Sequence, residues 1–357
     1  MPAYHSLRQK PSSVISVCDL CGHDQFTVVA TTDRLHYPLQ SLVCHSCGLV
    51  STNPRPSDED VEKFYRDDYR KEYKQTLKPR LKHVYRAGMV ALERLRYTLP
   101  LLRRDDRILD LGAGGGEFLF LLRGLGHNVG GIEPNLGYGG MARDILGLPV
   151  QVTTYQHAEV EAGSQDVVTC FHVLEHIPHP VEALSIMARW LTESGLLLIE
   201  VPHVLSRCQW PHSRYHIGHL HHFSSSTLAL AGQKAGLRTV DTFTSADGGN
   251  LMVVFRRADG QPAPGQTSIP GHMQRVRQHL RDHTPLSHLL TYHPYLRPFQ
   301  KLRMRADELL TLARMHDAHD VLDHLLHRAR RVQESWTASQ ARGELDLSAG
   351  VLDASGA

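Results

Sequence analysis

Ile108-Leu-Asp-Leu-Gly-Ala-Gly-Gly-Gly-Glu-Phe-Leu119 is the stretch from which the fold is read. Apolar residues on either side of Asp110 mark a buried parallel strand, and Gly112 to Gly116 form a loop without side-chain bulk. Phe118, Leu119, Leu121 and Leu122 resume at helical spacing, so the unit is strand, glycine loop, helix. Glycines at 112, 114 and 116 allow positive φ, and the loop together with the helix N-terminus offers peptide N–H groups to a ligand. A dinucleotide fingerprint needs G-x-G-x-x-G, but Glu117 stands where the third Gly belongs. The pattern is D-x-G-x-G-x-G instead.

One unit further on, Asn128-Val-Gly-Gly-Ile-Glu133 reads as a short strand ending in an acid, about 20 residues after the loop, as a ribose-binding carboxylate requires. These residues resemble the class I S-adenosylmethionine-dependent methyltransferases, from about Arg107 to Arg257. The resemblance implies S-adenosylmethionine as cofactor, held by Asp110, Gly112, Ala113, Gly114, Gly116, Glu133 and Pro134, with Tyr155 and His172 completing the site. It implies an α/β fold: a Rossmann-like seven-stranded sheet with an antiparallel last strand. The sequence places strands near 107–111, 128–132, 149–154, 166–171, 195–201, 238–244 and 250–257, the last two a hairpin around Asp247-Gly-Gly249. The methyltransferase domain is expected over 101–258.

Composition bounds the reading. A formal charge of +2 argues against a strongly electrostatic nucleic-acid binder. Met1 to Val17 hold no apolar targeting segment and no stretch approaches a membrane span, which points to the cytoplasm. Of 6 cysteines, four fall in Cys18-Asp-Leu-Cys21-Gly and Cys44-His-Ser-Cys47-Gly. Two such knuckles can surround a tetrahedral Zn²⁺ with four sulfurs, a structural site since no coordination position stays open. A zinc ribbon is therefore expected over 12–57. With the following Leu49-Val-Ser-Thr-Asn-Pro-Arg-Pro it resembles the N-terminal module of bacterial methyltransferases acting on sugars and other small molecules.

Residues 58–100 read as a helical lid, with Phe64, Tyr65, Tyr69 and Tyr73 on one face. In related enzymes this segment closes over the cofactor, which makes Tyr69 or Tyr73 a candidate contact to the methionine end or the acceptor. After the third strand, Thr154, Tyr155 and Gln156 stand where the family contacts adenine.

The fourth strand leads into His172-Val-Leu-Glu175-His176-Ile-Pro-His-Pro180. H-x-x-E-H is also an inverzincin signature, but Pro178 and Pro180 exclude the long helix that it needs. Ubiquinone-pathway O-methyltransferases carry a related E-x-x-E-H that recruits a divalent cation; His172 stands at the place of its first Glu, and a metal here is an open alternative. The bland role for Glu175 is to cap the turn and fix His176. Most of the densest histidine region, His212 to His222, resembles the family loop over the acceptor pocket. His219 matches the base of the deoxysugar C-methyltransferases, with Gly218 and His222 at its neighbouring Glu and Tyr. His219, assisted by His222 or His176, is the expected base, since imidazole titrates near neutrality.

Beyond a linker at 258–271, residues 272–333 read as a basic helical appendage with an apolar stripe at Leu322, Leu325, Leu326 and Ala329, open to packing on the core, to forming a homodimer or to contacting an anionic acceptor. A tail over 338–357 is expected to be disordered. The function expected is methyl transfer to a small-molecule or saccharide acceptor, oxygen favoured over carbon or nitrogen. The alternative is an RNA methyltransferase gripping RNA with the ribbon and the basic helices.

Overall fold

The computed structural model describes residues 4–10, 12–74, 76, 78–258 and 267–341, without the side chains of 73, 74 and 339–341. Most of the linker, the Tyr73 side chain and 342–357 of the tail thus lie outside the described residues. After a helical turn at His5–Arg8 and a short bridge of Ser12–Ser13 to Arg55–Pro56 come the ribbon strands β1 (Phe26–Thr32), β2 (Pro38–Cys44) and β3 (Val50–Thr52). Ser57 then caps α1 (Asp58–Lys63) by accepting from the Asp60 N–H, a π-turn at Phe64–Asp68 follows, and α2 (Tyr69–Lys74) precedes α3 (Leu81–Thr98).

The core alternates β4 (Arg107–Leu111), α4 (Glu117–Gly124), β5 (Asn128–Ile132), α5 (Leu136–Gly140), β6 (Val150–Gln151), β7 (Gln165–Phe171), α6 (Pro180–Trp190) and β8 (Leu191–Pro202). A two-residue strand β9 (His221–His222) leads to α7 (Ser225–Lys234), then to the hairpin β10 (Leu237–Thr244) and β11 (Asn250–Arg257). Sheet order is β10-β11-β8-β7-β4-β5-β6, with β11 antiparallel to both neighbours and the β8-to-β6 run parallel. This is the expected seven-stranded Rossmann-like sheet, with the third strand shortened to two residues. Ile108, Leu119, Leu121, Leu122, Val168, Leu198 and Phe255 are fully or almost fully buried, as a parallel sheet covered on both faces demands.

Two expectations change. The ribbon is not closed over 12–57: its sheet runs β9-β3-β2-β1, and the fourth strand comes from His221–His222, far along the chain. A three-strand ribbon leaves the β3 edge open, and the histidine loop fills it. The C-terminal helices α8 (His272–Asp282), α9 (Pro285–Leu289), α10 (His293–Leu312) and α11 (Ala318–Ala341) also divide in role. Leu322, Leu325 and Ala329 of α11 are buried against α3 and α4, so of the roles open to the stripe it takes packing on the core. Helix α11 also runs on to Ala341, past the expected start of the tail.

Candidate functional site

At the end of β4, Gly112, Gly114 and Gly116 take φ of 84°, 58° and 86°, which side chains rarely adopt. Their N–H groups, however, are already used. Gly112 and Ala113 donate to the Ile132 carbonyl at 2.8 and 3.0 Å, Gly114 to Glu133 Oε2 at 2.8 Å, and Gly116 to the Ala113 carbonyl at 2.9 Å. The loop thus contributes shape more than free donors, contrary to the expectation from sequence. A Cβ on Gly114 would meet nothing nearer than Arg70 Nη2 at 3.7 Å, so its bare face opens on the cavity. Gly116 is the exception among the expected cofactor residues: it does not line the cavity, and a Cβ there would strike Leu148 at 2.5 Å. Its role is to let α4 pack close.

The cavity holds about 720 Å³, enough for a nucleoside-sized ligand. Asp110, Gly112, Ala113, Gly114, Glu133, Pro134, Tyr155 and His172 line it, as do His176, His219 and His222. Every other expected cofactor and base residue thus faces one space. Glu133 is buried, and its two oxygens accept from Gly114 and, at 3.1 Å, from Asn135, leaving lone pairs toward the cavity. Asp110 accepts from Thr169 Oγ1 at 2.6 Å; burial raises its carboxyl to about 6, against the lowering effect of Thr169. Burial likewise raises Glu117, beside the loop, to about 7.

At the other end of the cavity, His172 sits in the left-handed region with φ 55°, rare for a residue with a side chain. Its ring lies between two acids, Nδ1 3.4 Å from Glu175 Oε1 and Nε2 3.0 Å from Glu200 Oε1. Burial opposes its charge, but the two carboxylates win and raise it to about 9. Glu200 also takes Arg94 Nη2 at 2.8 Å and the Tyr97 hydroxyl. Glu175 is only 1% exposed, and neither oxygen has a hydrogen-bond partner among the described residues. A capping carboxylate would accept N–H bonds, so the bland role fails. Around it stand His172, His176 Nε2 at 3.8 Å and His219 Nε2 at 3.8 Å. Glu175, His176 and His219 are close enough to share a metal ion.

Histidines from separate segments converge here. His176 Nδ1 meets the Gly218 carbonyl at 2.5 Å, which fixes the proton on Nδ1, because a carbonyl only accepts. Tyr65 of the lid joins them, its hydroxyl 2.7 Å from His176 Nδ1 and donating to the same carbonyl at 2.9 Å. His219 packs close against His216, ring centroids 3.7 Å apart and tilted by 47°. Burial, with the neighbouring His216, His176 and His222, holds His219 well below the ordinary imidazole range. Burial, then Arg214, lowers His222 to about 3. Both are neutral at pH 7, and His219 Nδ1 and His222 Nε2 have no hydrogen-bond partner among the described residues.

Arg70 was missed from sequence. It is enclosed by the lid, its guanidinium 4.1 Å over the Tyr138 ring and near Glu133 and Glu117. Tyr4 was also missed; it lines the cavity and stacks on His216 at 4.9 Å.

In the N-terminal ribbon, Cys18, Cys21, Cys44 and Cys47 place their sulfurs within 4.8 Å of one another. Cys18–Cys47 stand 3.7 Å apart and Cys21–Cys44 3.5 Å. Sulfurs about 2.3 Å from a tetrahedral zinc stand about 3.8 Å apart, so the group could hold the ion.

A glycine loop at the carboxyl end of the first core strand, an acid ending the second, and an antiparallel seventh strand define a class I S-adenosylmethionine-dependent methyltransferase domain. Residues 82–242 match the family described as "Methyltransferase domain", and the chain carries that domain. It is similar to the C-methyltransferase NovU of Streptomyces niveus, 25% identical over 265 residues, 68% of this chain and 60% of that one. It is also similar to the ubiquinone biosynthesis O-methyltransferase of Burkholderia vietnamiensis, 38% identical over 96 residues, 25% of this chain and 41% of the relative. Among solved structures, the CcbJ methyltransferase from Streptomyces caelestis aligns with a TM-score of 0.41 at 15% identity, covering 47% of this chain and 90% of that one. The chain thus spans less than two thirds of the length of either curated relative. No described helix is long and apolar enough to cross a membrane.

Proposed function

We propose that this protein methylates a small-molecule or saccharide acceptor, with His219 as general base. The carrying observation is that a neutral imidazole with an unpartnered Nδ1 shares one cavity with the glycine loop and Glu133. S-adenosylmethionine, when bound, supplies a methyl group on a sulfonium. Glu133 would receive the ribose hydroxyls, Tyr155 and Pro134 would flank the base, and Arg70 would face the amino-acid carboxylate from the lid. His219 would take the acceptor's proton on Nδ1. The charge gained would be stabilised by the Glu175 carboxylate, 3.8 Å from Nε2. His222 would orient the acceptor, and His176 would hold the loop through Gly218. Lid closure by Tyr65 and Arg70 would exclude water and align the acceptor with the methyl group. Four ribbon thiolates would hold a structural Zn²⁺.

Transfer to oxygen is the first reading. Transfer to carbon is the second, and one observation favours it: similarity to the C-methyltransferase extends over 68% of the chain, against 25% for the O-methyltransferase. The test is calorimetry with S-adenosylmethionine, followed by mass spectrometry and NMR of nucleotide-sugars and phenols incubated with methyl-labelled cofactor. Cofactor binding with label on one acceptor class supports the proposal, and NMR of the product assigns oxygen or carbon. Absence of cofactor binding would overturn it. Tight, steeply salt-dependent RNA binding with label in RNA would replace it with the RNA reading.

A further inference from the structure

Helix α10 is turned inside out. Asp307 accepts from the Tyr85 hydroxyl at 2.6 Å and Glu308 pairs with Arg86 at 2.6 Å, so its acidic side faces α3. Tyr295, Phe299, Leu302, Ala306, Leu309 and Leu310 recur on the opposite side at helical spacing. None of the helix's residues is buried; Phe299 is 72% exposed, Leu302 67% and Leu310 74%. Across 20 residues the stripe is about 30 Å long, far more than scattered surface leucines produce. On and just after α9, Leu286, Leu290 and Tyr292 are also exposed, and half-exposed Trp210 packs on His288 of the same helix.

Charge identifies the occupant. All four charged side chains of α10 that precede Asp307 are basic: Arg297, Lys301, Arg303 and Arg305. Arg303 and Arg305 border the stripe on its two sides near the midpoint, with Lys301 further round toward α3. In a two-fold pairing of α10 with its copy, these cations would oppose their own equivalents, which disfavours a second molecule. A row of leucines with aromatic residues at one end and cations along the flanks matches the interface of an anionic bilayer.

We infer that α10, with the tip of α9, lies in the interfacial layer of a membrane rich in anionic lipid, apolar stripe downward and Arg303 and Arg305 among the headgroups. The helix lies on the bilayer and does not cross it. This inference goes beyond methyl transfer and is independent of it: the stripe faces away from the catalytic cavity.

The test is flotation of the full chain with vesicles of phosphatidylcholine alone and of phosphatidylcholine with phosphatidylglycerol, alongside its mass in solution by light scattering. Binding to the anionic vesicles only, weakened by salt, is the expected result. Arg303→Gln/Arg305→Gln should lower binding by roughly tenfold or more, and Phe299→Ser/Leu302→Ser should abolish it. These positions are exposed, so unchanged thermal unfolding and cofactor affinity in both variants would show that the fold is intact. No binding to anionic vesicles at low salt would overturn the inference. So would a wild-type dimer that Phe299→Ser/Leu302→Ser converts to monomer without any vesicle binding.

Discussion

The two ends of the cavity are built by opposite means. At the glycine end, the loop and its two acids are bonded before any ligand arrives: Glu133 holds Gly114 and Asn135, and Asp110 holds Thr169; the buried atoms without a hydrogen-bond partner there, Arg70 Nε and Tyr138 Oη, belong to the groups that close over the loop. At the histidine end, Glu175, His203, His216, His219 and His222 each keep a buried polar atom without a hydrogen-bond partner among the described residues. Unsatisfied buried groups cost about 1–3 kcal/mol each, so a fold retains them where they are used. A cofactor common to many reactions can be met by a finished cradle. The reacting end must leave its groups available to the acceptor.

The sharpest way to break this contrast is His219→Ala. Turnover should fall by about 10²–10⁴-fold with cofactor affinity unchanged by calorimetry. Equal loss of cofactor binding would show that the two ends are one structural unit.

A second effect is set by pH. His221 and His222 are lowered by burial to about 4 and about 3, so the unfolded chain takes up their protons first as pH falls through 6.5. Their contribution to stability is complete above 6.5 and erodes as pH falls toward 4, by up to about 1.4 kcal/mol per pH unit for each histidine. Asp110 and Glu117 have raised values, so the native state holds their protons better, and acid favours the glycine end. Hydrogen exchange at pH 5 should therefore show lost protection over 216–222 and retained protection over 112–116. Uniform loss would contradict the division.

Glu133→Ala should come next, weakening cofactor binding by roughly 10–100-fold through loss of a charged acceptor. Acceptor KM should change little once the cofactor is saturating. The smallest expected effect lies in the ribbon. Chelation, or Cys47→Ser, should raise acceptor KM by roughly tenfold with cofactor affinity kept, because β9 carries His222 and is paired to β3. Loss of cofactor binding alone would place the ribbon's influence at the wrong end.

The glycine end was legible because it is contiguous. Strand, loop and helix occupy a dozen residues whose apolar periodicity and glycines can only be satisfied one way, and Glu133 follows at a fixed distance. The four cysteines were legible for a similar reason, since ligand spacing within each knuckle is local. The histidine end was legible only as a list. His172, His176, His219 and His222 could be named, but not that Glu175 stands among three of them without a hydrogen-bond partner among the described residues. Arg70 went unseen because nothing in Asp67-Asp-Tyr-Arg-Lys marks it apart from a solvated helix face. Nor did the glycines reveal that most of their loop's N–H groups bond within the protein.

The sequence by itself determined the parallel sheet, the cofactor class and the thiol cluster, because each rests on periodicity or spacing within a short segment. Only the tertiary structure decided that residues 221–222 complete the ribbon, that α11 buries its stripe and that α10 exposes one. Those outcomes depend on which edges and faces remain open after distant segments have packed, and no local pattern encodes that competition.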